Sequence, residues 1–537
     1  MAVKKLLAVQ PQPSESSEQS ENKRLLLALS GIIMSILLAA LDQTIVNPAL
    51  PRIVEELQGF SLFAWVSTAY LLTSTATIPI AGKLGDMFGR RTLLLLAVFV
   101  FVAGSALSGA APSMIWLVLF RAFQGIGAGM LYSNAFAMVA ELFPDSAKRA
   151  RWQGLIAAVF GLSSVVGPAL GGFITDNLDW RWVFYVNVPV GAAATLALVF
   201  NLPKSTPKGR RKVDLLGAFL MIGAVVSLLL ALTWGGHVAP RGYAWDSPQI
   251  LGLLGAAFGL LLVFIYVEKR VAEPILPLSL FANKAVRTMA LVSFASSATM
   301  LGTTLFIPLF IQVVKGQSAA SSGAITTPMA LAMVAANILT GQFIGRVGYL
   351  KLPFISGSVT LLIGMSLLLT INGDSPLWAM TIFMMIIGFG LGQVMPSMNI
   401  VVQESVSRRE IGVGIAAIQF FRSIGSTMGV AVIGTIVTNS YGSAIAAAGA
   451  PSNLLETIAE PQNLLNKGVA ATLPDTLVET VHASLTAAIH NGLLVTSGIA
   501  LVVLAGALLV PSIRVKSGLK KSQPTETPVA MKKELAA

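Results

Sequence analysis

The sequence contains no cysteine and little charge. Without cysteine, disulfide bonds and thiolate chemistry are excluded, and the redox compartment cannot be inferred. Only 11% of the 537 residues are charged, whereas a soluble domain carries about 25%. Because 55% of the residues are hydrophobic and the mean hydropathy is +0.78, we expect the chain to use lipid as its solvent.

Histidines and ligand-binding loops are also scarce. The three histidines, His237, His482 and His490, have neither a metal-binding nor an H-x-x-x-x-D spacing, and the sequence has no phosphate-cradling loop. No polar stretch is long enough for a nucleotide-binding domain. The sequence therefore argues against an enzyme, an ATP-driven pump, a metal site and an organic cofactor.

Long apolar runs supply fourteen candidate transmembrane helices, each close to the roughly 20 residues that cross a bilayer. They lie near 25–48, 61–81, 91–110, 113–140, 152–174, 182–202, 213–234, 249–267, 286–314, 321–344, 351–371, 376–400, 412–438 and 489–511. The period-2 alternation of barrel strands is absent from the sequence, so the predicted fold class is an all-α polytopic membrane protein.

The net charge of +12 is explained by topology. With the N-terminus inside, 29 of the 36 Lys and Arg residues fall on cytoplasmic segments, five on outer loops and two, Arg121 and Arg422, inside spans. This distribution follows the positive-inside rule and predicts that both termini are cytoplasmic. Nucleic acid is therefore not an expected partner.

Repeated glycine patterns indicate two related halves. The spacing Gly82 to Gly89 recurs at Gly341 to Gly348, with an offset of 259 residues. Two further glycine patterns in the fourth and fifth spans recur with offsets of 263 and 258 residues. We expect a disordered cytoplasmic tail (1–24), an N-terminal six-helix half (25–202), a linker with two extra transmembrane helices (203–285), a C-terminal half (286–511) with an outer loop (439–488), and a cytoplasmic tail (512–537).

The loop between the second and third spans reads Gly82-Lys-Leu-Gly-Asp86-Met-Phe-Gly89-Arg90-Arg91. Its glycines allow a sharp turn that holds one acid and two arginines at the membrane surface. The pattern resembles G-x-L-x-D-x-x-G-R-[RK], the cytoplasmic loop of the major facilitator superfamily. A basic turn that served topology alone would require neither the aspartate nor the glycines.

Two charged residues lie deep in the N-terminal spans. Asp42 is the one acid placed well inside a span, and Arg121 lies at a similar depth in the fourth span, one turn from Gln124. Equal depth permits a contact between Asp42 and Arg121. An intramembrane charge is costly and marks a functional site by default, although a purely structural ion pair is the alternative.

The fifth span carries a third motif, Gly161-Leu-Ser-Ser-Val-Val-Gly167-Pro168-Ala-Leu-Gly171-Gly172. Glycine and proline allow close helix packing, and the pattern resembles the antiporter motif of proton-coupled exporters. Together with Asp42, the loop and the fourteen spans, it is similar to the 14-helix drug:proton antiporter family. The resemblance implies the major-facilitator fold, proton-driven export, a proton-coupling role for Asp42 with Arg121, and a cytoplasmic gate at Asp86 and Arg90.

We predict the substrate cavity from the polar residues of the spans. They are Asp42, Gln43, Asn47, Arg121, Gln124, Gln419 and Arg422. One acid and two arginines are poorly suited to dications, and the second-half spans 286–344 and 412–438 contain no further acid.

The predicted function is therefore proton-coupled efflux of hydrophobic, neutral or monocationic drugs and amphiphiles across the plasma (inner) membrane. A monomer would perform it, with the proton gradient as energy source and no cofactor. A dedicated exporter of a lipid-like or other amphiphilic metabolite is the alternative. A non-transporting receptor or scaffold is more distant, because it would not need a costly Asp42–Arg121 pair.

Overall fold

A computed structural model describes residues 15–58, 62–143, 145–203, 214–235, 243–407, 410–447 and 475–510, and these are almost entirely α-helical. The helices are α1 (Glu15–Ile45), α2 (Leu50–Leu57), α3 (Phe63–Phe88), α4 (Arg90–Gly109), α5 (Met114–Leu142), α6 (Ser146–Asn177), α7 (Trp182–Tyr185), α8 (Asn187–Asn201), α9 (Leu215–Trp234), α10 (Pro248–Glu268), α11 (Lys284–Val313), α12 (Ala319–Val347), α13 (Lys351–Leu368), α14 (Leu377–Ser405), α15 (Ile411–Ala447) and α16 (Asp475–Leu509).

Thirteen segments of the described chain are long and apolar enough to cross a membrane. The fourteenth span is α3, whose 26 residues include six serines and threonines and are correspondingly less apolar. This helix packs against α5 and α15, so protein covers much of a surface that lipid would otherwise meet. The predicted all-α polytopic class is confirmed.

Local sequence sets where several spans begin and end. The side chains of Asp145 and Asn283 accept hydrogen bonds from the first turns of α6 and α11, as N-caps do. Helices α3 and α12 end at Gly89 and Gly348, with φ of 94° and 76°, a backbone region that favours glycine. We call the side of the bilayer where the Gly89 turn lies the loop side, and the other the opposite side.

The repeated glycines make matched contacts. A methyl group at Gly125 or Gly129 of α5 would overlap the backbone of α3, and one at Gly388 or Gly392 of α14 would overlap the backbone of α12. Glycine thus lets α5 approach α3, and α14 approach α12, to backbone contact. Each pair occupies the same place in its own half.

Buried apolar side chains form two main groups. One is drawn chiefly from α1, α3, α4, α5, α6 and α8, and the other chiefly from α9 to α16. The two groups meet along two seams, α3 against α15 and α6 against α12.

The inserted pair α9–α10 lies at the first seam. Helix α9 packs against α10 and also against α3 and α15. The rings of Trp65 and Trp234 lie 5.7 Å apart, and Trp245 Nε1 donates to Thr435 Oγ1 at 3.0 Å. The insert therefore contacts both halves.

Two segments that are predicted as tail and loop are partly helical. Helix α1 begins at Glu15, so the predicted disordered tail 1–24 is helical in its last part, because its Glu, Gln and Lys residues are good helix formers that extend the first span. The predicted outer loop 439–488 is helical at both ends, where α15 continues to Ala447 and α16 begins at Asp475. Residues 1–14, 448–474 and the predicted tail 512–537 lie outside the described residues.

Candidate functional site

A buried carboxylate, Asp42, lies where α1, α5 and α8 meet. Arg121 Nη1 donates to Asp42 Oδ2 at 2.5 Å, and Gln124 Nε2 donates to Oδ1 at 2.9 Å. The side chain of Asn187 reaches the same Oδ1 from α8, with Nδ2 at 3.1 Å. Asp42 is 0% exposed and Arg121 2%, so the ion pair is removed from solvent and satisfied by protein groups.

The guanidinium of Arg121 is enclosed by further groups. Its Nε donates to Val66 O at 3.2 Å, and its Cζ lies 4.3 Å from the ring centre of Tyr70 and 5.7 Å from that of Phe184. Asn187 also donates to Ser105 Oγ at 3.0 Å. Sequence reasoning missed Asn187, although an asparagine within an otherwise apolar span was a usable signal.

The residues predicted to line the substrate cavity do not form one continuous surface in this structure. Asp42, Arg121 and Gln124 are buried inside the N-terminal half, whereas Gln43 is partly exposed and Asn47 is exposed. The enclosure has a packing cause, since glycines of α4 and α5 bring neighbouring helices to backbone distance around the cluster.

An open pocket of about 530 Å³ lies on the opposite side, beyond the end of α1. It is lined by Pro48, Pro51, Arg52, Glu55, Glu56, Thr175, Asp176, Leu178, Asp179 and Trp180. Pro48 follows Asp42 by six residues, or about 9 Å of helix. The pocket therefore approaches the buried cluster from the opposite side.

On the loop side, Asp86 joins the two halves. Its Oδ1 accepts from Arg90 Nη2 at 2.7 Å, and its Oδ2 accepts from the backbone N–H of Val413 at 3.2 Å. Arg90 is itself fixed by donation to Ala137 O at 2.6 Å. A side chain at Gly412 would overlap the Asp86 carboxylate. The carboxylate thus contacts the N-terminal turn of α15, where free N–H groups and the helix dipole favour negative charge.

The other loop residues position this contact. A methyl group at Gly82 would lie 2.5 Å from Ala416 Cβ of α15, so glycine permits the approach. Gly89 makes the turn, and Arg91 Nη2 donates to Val199 O at 2.6 Å within the N-terminal half. Two of the five predicted gate residues, Gly82 and Asp86, contact the C-terminal half. The other three, Gly89, Arg90 and Arg91, make their described contacts within the N-terminal half and hold the first two in place.

A second polar bridge crosses the α6–α14 contact on the loop side. Arg149 pairs with Glu404, and Ser146 Oγ donates to the same Oε1 of Glu404 at 2.6 Å. Sequence reasoning missed this bridge. Its partners are 255 residues apart and each lies at a helix end, where charges are ordinarily solvated.

The glycine motif of α6 works by close packing on two sides. Methyl groups at Gly167 and Gly171 would overlap Thr44 and Ile45 of α1, and one at Gly161 would lie 2.6 Å from a methyl of Val334 in α12. Pro168 lies within α6. A methyl group at Gly172 would meet no atom of the described residues within 4 Å, so glycine is not needed there for this packing.

Arg422 lies at the seam between the halves. The neighbouring Ser423 hydrogen-bonds Thr75 of α3, and the Arg422 Cζ lies 4.9 Å from the ring centre of Phe160 on α6. Arg422 keeps partial exposure, and Gln419, one turn earlier on α15, is buried. Among the described residues, no group of three or more His, Cys, Asp or Glu side chains is arranged to hold a metal.

Comparisons with known proteins agree on a family. The model of the Major Facilitator Superfamily matches residues 32–430. Multidrug transporter protein MdtP of Bacillus subtilis (strain 168) is 43% identical over 427 residues, covering 80% of this chain and 78% of that protein. Multidrug resistance protein 3 of the same organism is 36% identical over 457 residues (84% and 88%). The rubrofusarin-specific efflux pump aurT of Gibberella zeae is 33% identical over 425 residues (77% of each).

Solved structures show the same fold. The human organic anion transporter MFSD10 aligns with a TM-score of 0.61 at 15% identity, over 90% of this chain and 99% of that one. The proton:xylose symporter XylE aligns with a TM-score of 0.59 at 13% identity, over 93% and 98%. At these identities the likeness concerns the fold alone. The predicted major-facilitator fold is confirmed.

Proposed function

Because this chain belongs to the Major Facilitator Superfamily and its relatives are multidrug and metabolite efflux pumps, we propose that it exports hydrophobic small molecules in exchange for protons. The protein is a multi-pass membrane transporter and not an enzyme. The substrates proposed are drugs and amphiphiles with no more than one positive charge. We place the protein in the plasma membrane with both termini in the cytoplasm, so that the loop side is cytoplasmic.

The Asp42 cluster is the main structural support for the proposed proton coupling. Its carboxylate is buried, lies well within α1, and is tied to α5 by Arg121 and to α8 by Asn187. Protonation of Asp42 removes the charge that Arg121 neutralises, and so weakens the connection between α1 and α5. The pocket beyond Pro48 lies on the side from which we propose that the proton approaches.

The loop-side contacts support a mechanism of alternating access. Asp86 with the start of α15, and Arg149 with Glu404, hold the two halves together on that side. Release of these contacts would open the cavity to the cytoplasm, where substrate is loaded. The proton taken up at Asp42 from outside would be released in exchange.

A dedicated exporter is the second candidate. One similar fungal pump is named for a single compound, and the geometry of Asp42 and the two loop-side bridges serves a dedicated exporter equally well. A panel of substrates offered to the reconstituted protein under one pH gradient separates a narrow from a broad range.

Inverted membrane vesicles with an acidic lumen test the proposed coupling. The wild-type protein should accumulate the monocationic dye ethidium as the gradient is imposed, and Asp42→Asn should abolish this uptake while expression is retained. Asp374→Asn, which alters an exposed acid on the opposite side, is the matched control and should transport like the wild type. Undiminished gradient-driven uptake by Asp42→Asn would refute the assignment.

A further inference from the structure

We propose that Arg422 forms an anion-binding subsite between the two halves, and that the favoured substrates are hydrophobic molecules carrying one carboxylate or a similar anionic group. This inference rests on the proposed export function and specifies its substrate class. It depends on where Arg422 lies, on the absence of a described acidic partner, and on the aromatic surface beside it.

Arg422 lies near the middle of the membrane and at the centre of the protein. It follows the start of α15 by eleven residues, which is about 16 Å of helix, or roughly half the thickness of the hydrocarbon core. Its guanidinium contacts Phe160 of α6, a helix of the other half. The partly exposed side chain of Arg422 therefore lies at the seam between the halves and away from the lipid-facing surface.

Other buried arginines of the described chain have acidic partners. Arg121 pairs with Asp42, Arg90 with Asp86, and Arg149 with Glu404. Within the described ranges, no carboxylate lies within ion-pair distance of Arg422, and spans 286–344 and 412–438 contain no acid. A charge held in such a site is costly unless an opposite charge joins it. A substrate can supply that charge.

The surroundings fit an amphiphile. The Phe160 ring stacks on Tyr132, with centroids 5.6 Å apart, and on Phe136, with centroids 6.4 Å apart. One face of the guanidinium is occupied by Phe160, which leaves its N–H edges free to donate in pairs to a carboxylate. Phe160 is partly exposed and so offers an apolar surface to the rest of the ligand, and the buried rings of Tyr132 and Phe136 support it from behind.

A fluorescent ligand pair tests the subsite. The probes are 11-(dansylamino)undecanoate and its methyl ester, which share the apolar body and differ in the negative charge. Binding is titrated by dansyl fluorescence on the purified full-length protein in one detergent. The wild-type protein should bind the carboxylate at least about tenfold more tightly than the ester, as expected when a charge-assisted hydrogen-bonded pair is formed.

Variants of Arg422 distinguish loss of carboxylate binding from a general structural effect. Arg422→Gln should lose about tenfold or more in carboxylate affinity and keep ester affinity within about twofold, whereas Arg422→Lys should retain part of the preference. Arg287→Gln, an exposed arginine on α11, should behave like the wild type. Equal wild-type affinities for acid and ester, or equal weakening of both by Arg422→Gln, would overturn the subsite.

The ethidium assay distinguishes failure of this inference from failure of the export function. If the wild-type protein moves ethidium under a pH gradient but shows no carboxylate preference, only the subsite is refuted. If the protein moves neither ethidium nor the dansyl probes under the gradient, proton-coupled export itself is refuted.

Discussion

At the scale of single residues, Asp42 depends on side chains from two other helices. Arg121 and Gln124 come from α5 and Asn187 comes from α8, so one carboxylate connects three helices. Removing one partner of a buried ion pair costs about 3–5 kcal/mol, because the other charge stays buried without compensation. Removing both charges costs less.

Substitution of Arg121 should therefore destabilise the protein strongly. We expect Arg121→Met to lower the thermal unfolding midpoint, with a free-energy cost of about 3–5 kcal/mol, and Asp42→Asn combined with Arg121→Met to recover part of it. The midpoints are measured on purified protein in one detergent. Arg287→Met, at an exposed arginine, is the control, and a loss equal to that of Arg121→Met would argue against a paired buried charge.

At the scale of helices, α6 offers adjacent glycines with opposite surroundings. A methyl group at Gly171 would overlap the backbone of α1, whereas one at Gly172 would meet no described atom within 4 Å. Alanine at Gly171 should push α1 and α6 apart and reduce both stability and transport. Alanine at Gly172 should be neutral or stabilise by about 0.5–1 kcal/mol through helix propensity. Unfolding midpoints and ethidium transport of the two variants give the comparison, and equal effects would contradict the packing assignment.

The contact between Asp86 and α15 should hold the loop side closed. Interaction of a carboxylate with a helix N-terminus contributes about 0.3–1 kcal/mol, and up to about 2 when partly buried, enough to shift a near-balanced equilibrium severalfold. Ser133→Cys introduces the chain's only thiol at a buried position beside Gly82. We expect Asp86→Asn to increase its rate of labelling by N-ethylmaleimide severalfold, and Asp374→Asn to leave it unchanged. Identical rates would reject the contact as a gate.

Some contacts between helices could be predicted from the sequence, and others could not. Glycine spacing predicted close packing and the turn at Gly89, because a missing side chain has one dominant physical consequence. Asp42 and Arg121 could be placed at one depth because helical rise is constant. The Arg149–Glu404 bridge could not be foreseen, since it joins segments far apart in the chain. The enclosure of Asp42 could not be foreseen either, because it depends on how α4, α5 and α8 pack together.

At the scale of the whole molecule, the balance of buried charge constrains the substrates. Asp42 is neutralised by Arg121, so Arg422 is the cation whose charge stays uncompensated in the described interior. A dication should bind poorly there, since each unpaired charge in a low-dielectric site costs several kcal/mol.

Matched ligands test this balance. We expect a bisquaternary dication to be transported at least about tenfold less efficiently than its monoquaternary analogue, and Arg422→Gln to narrow the difference. Initial rates in inverted vesicles under the same pH gradient provide the measurement. Efficient wild-type export of the dication, equal to that of the monocation, would show that another acid reaches the cavity.

The two extra helices make the two seams of the molecule unequal. Helix α9 lies across the α3–α15 seam and packs against both helices. Trp234 at its end contacts Trp65 of α3, and Trp245, in the connection to α10, donates to Thr435 of α15. Lys83 Nζ, in the last turns of α3, pairs at 2.8 Å with Oε2 of Glu273, which follows the end of α10 by five residues. Among the described helices, none lies across the α6–α12 seam in this way. We therefore expect a lipophilic molecule dissolved in the bilayer to meet a barrier on the α3–α15 flank of the protein, which leaves the α6–α12 flank for lateral entry.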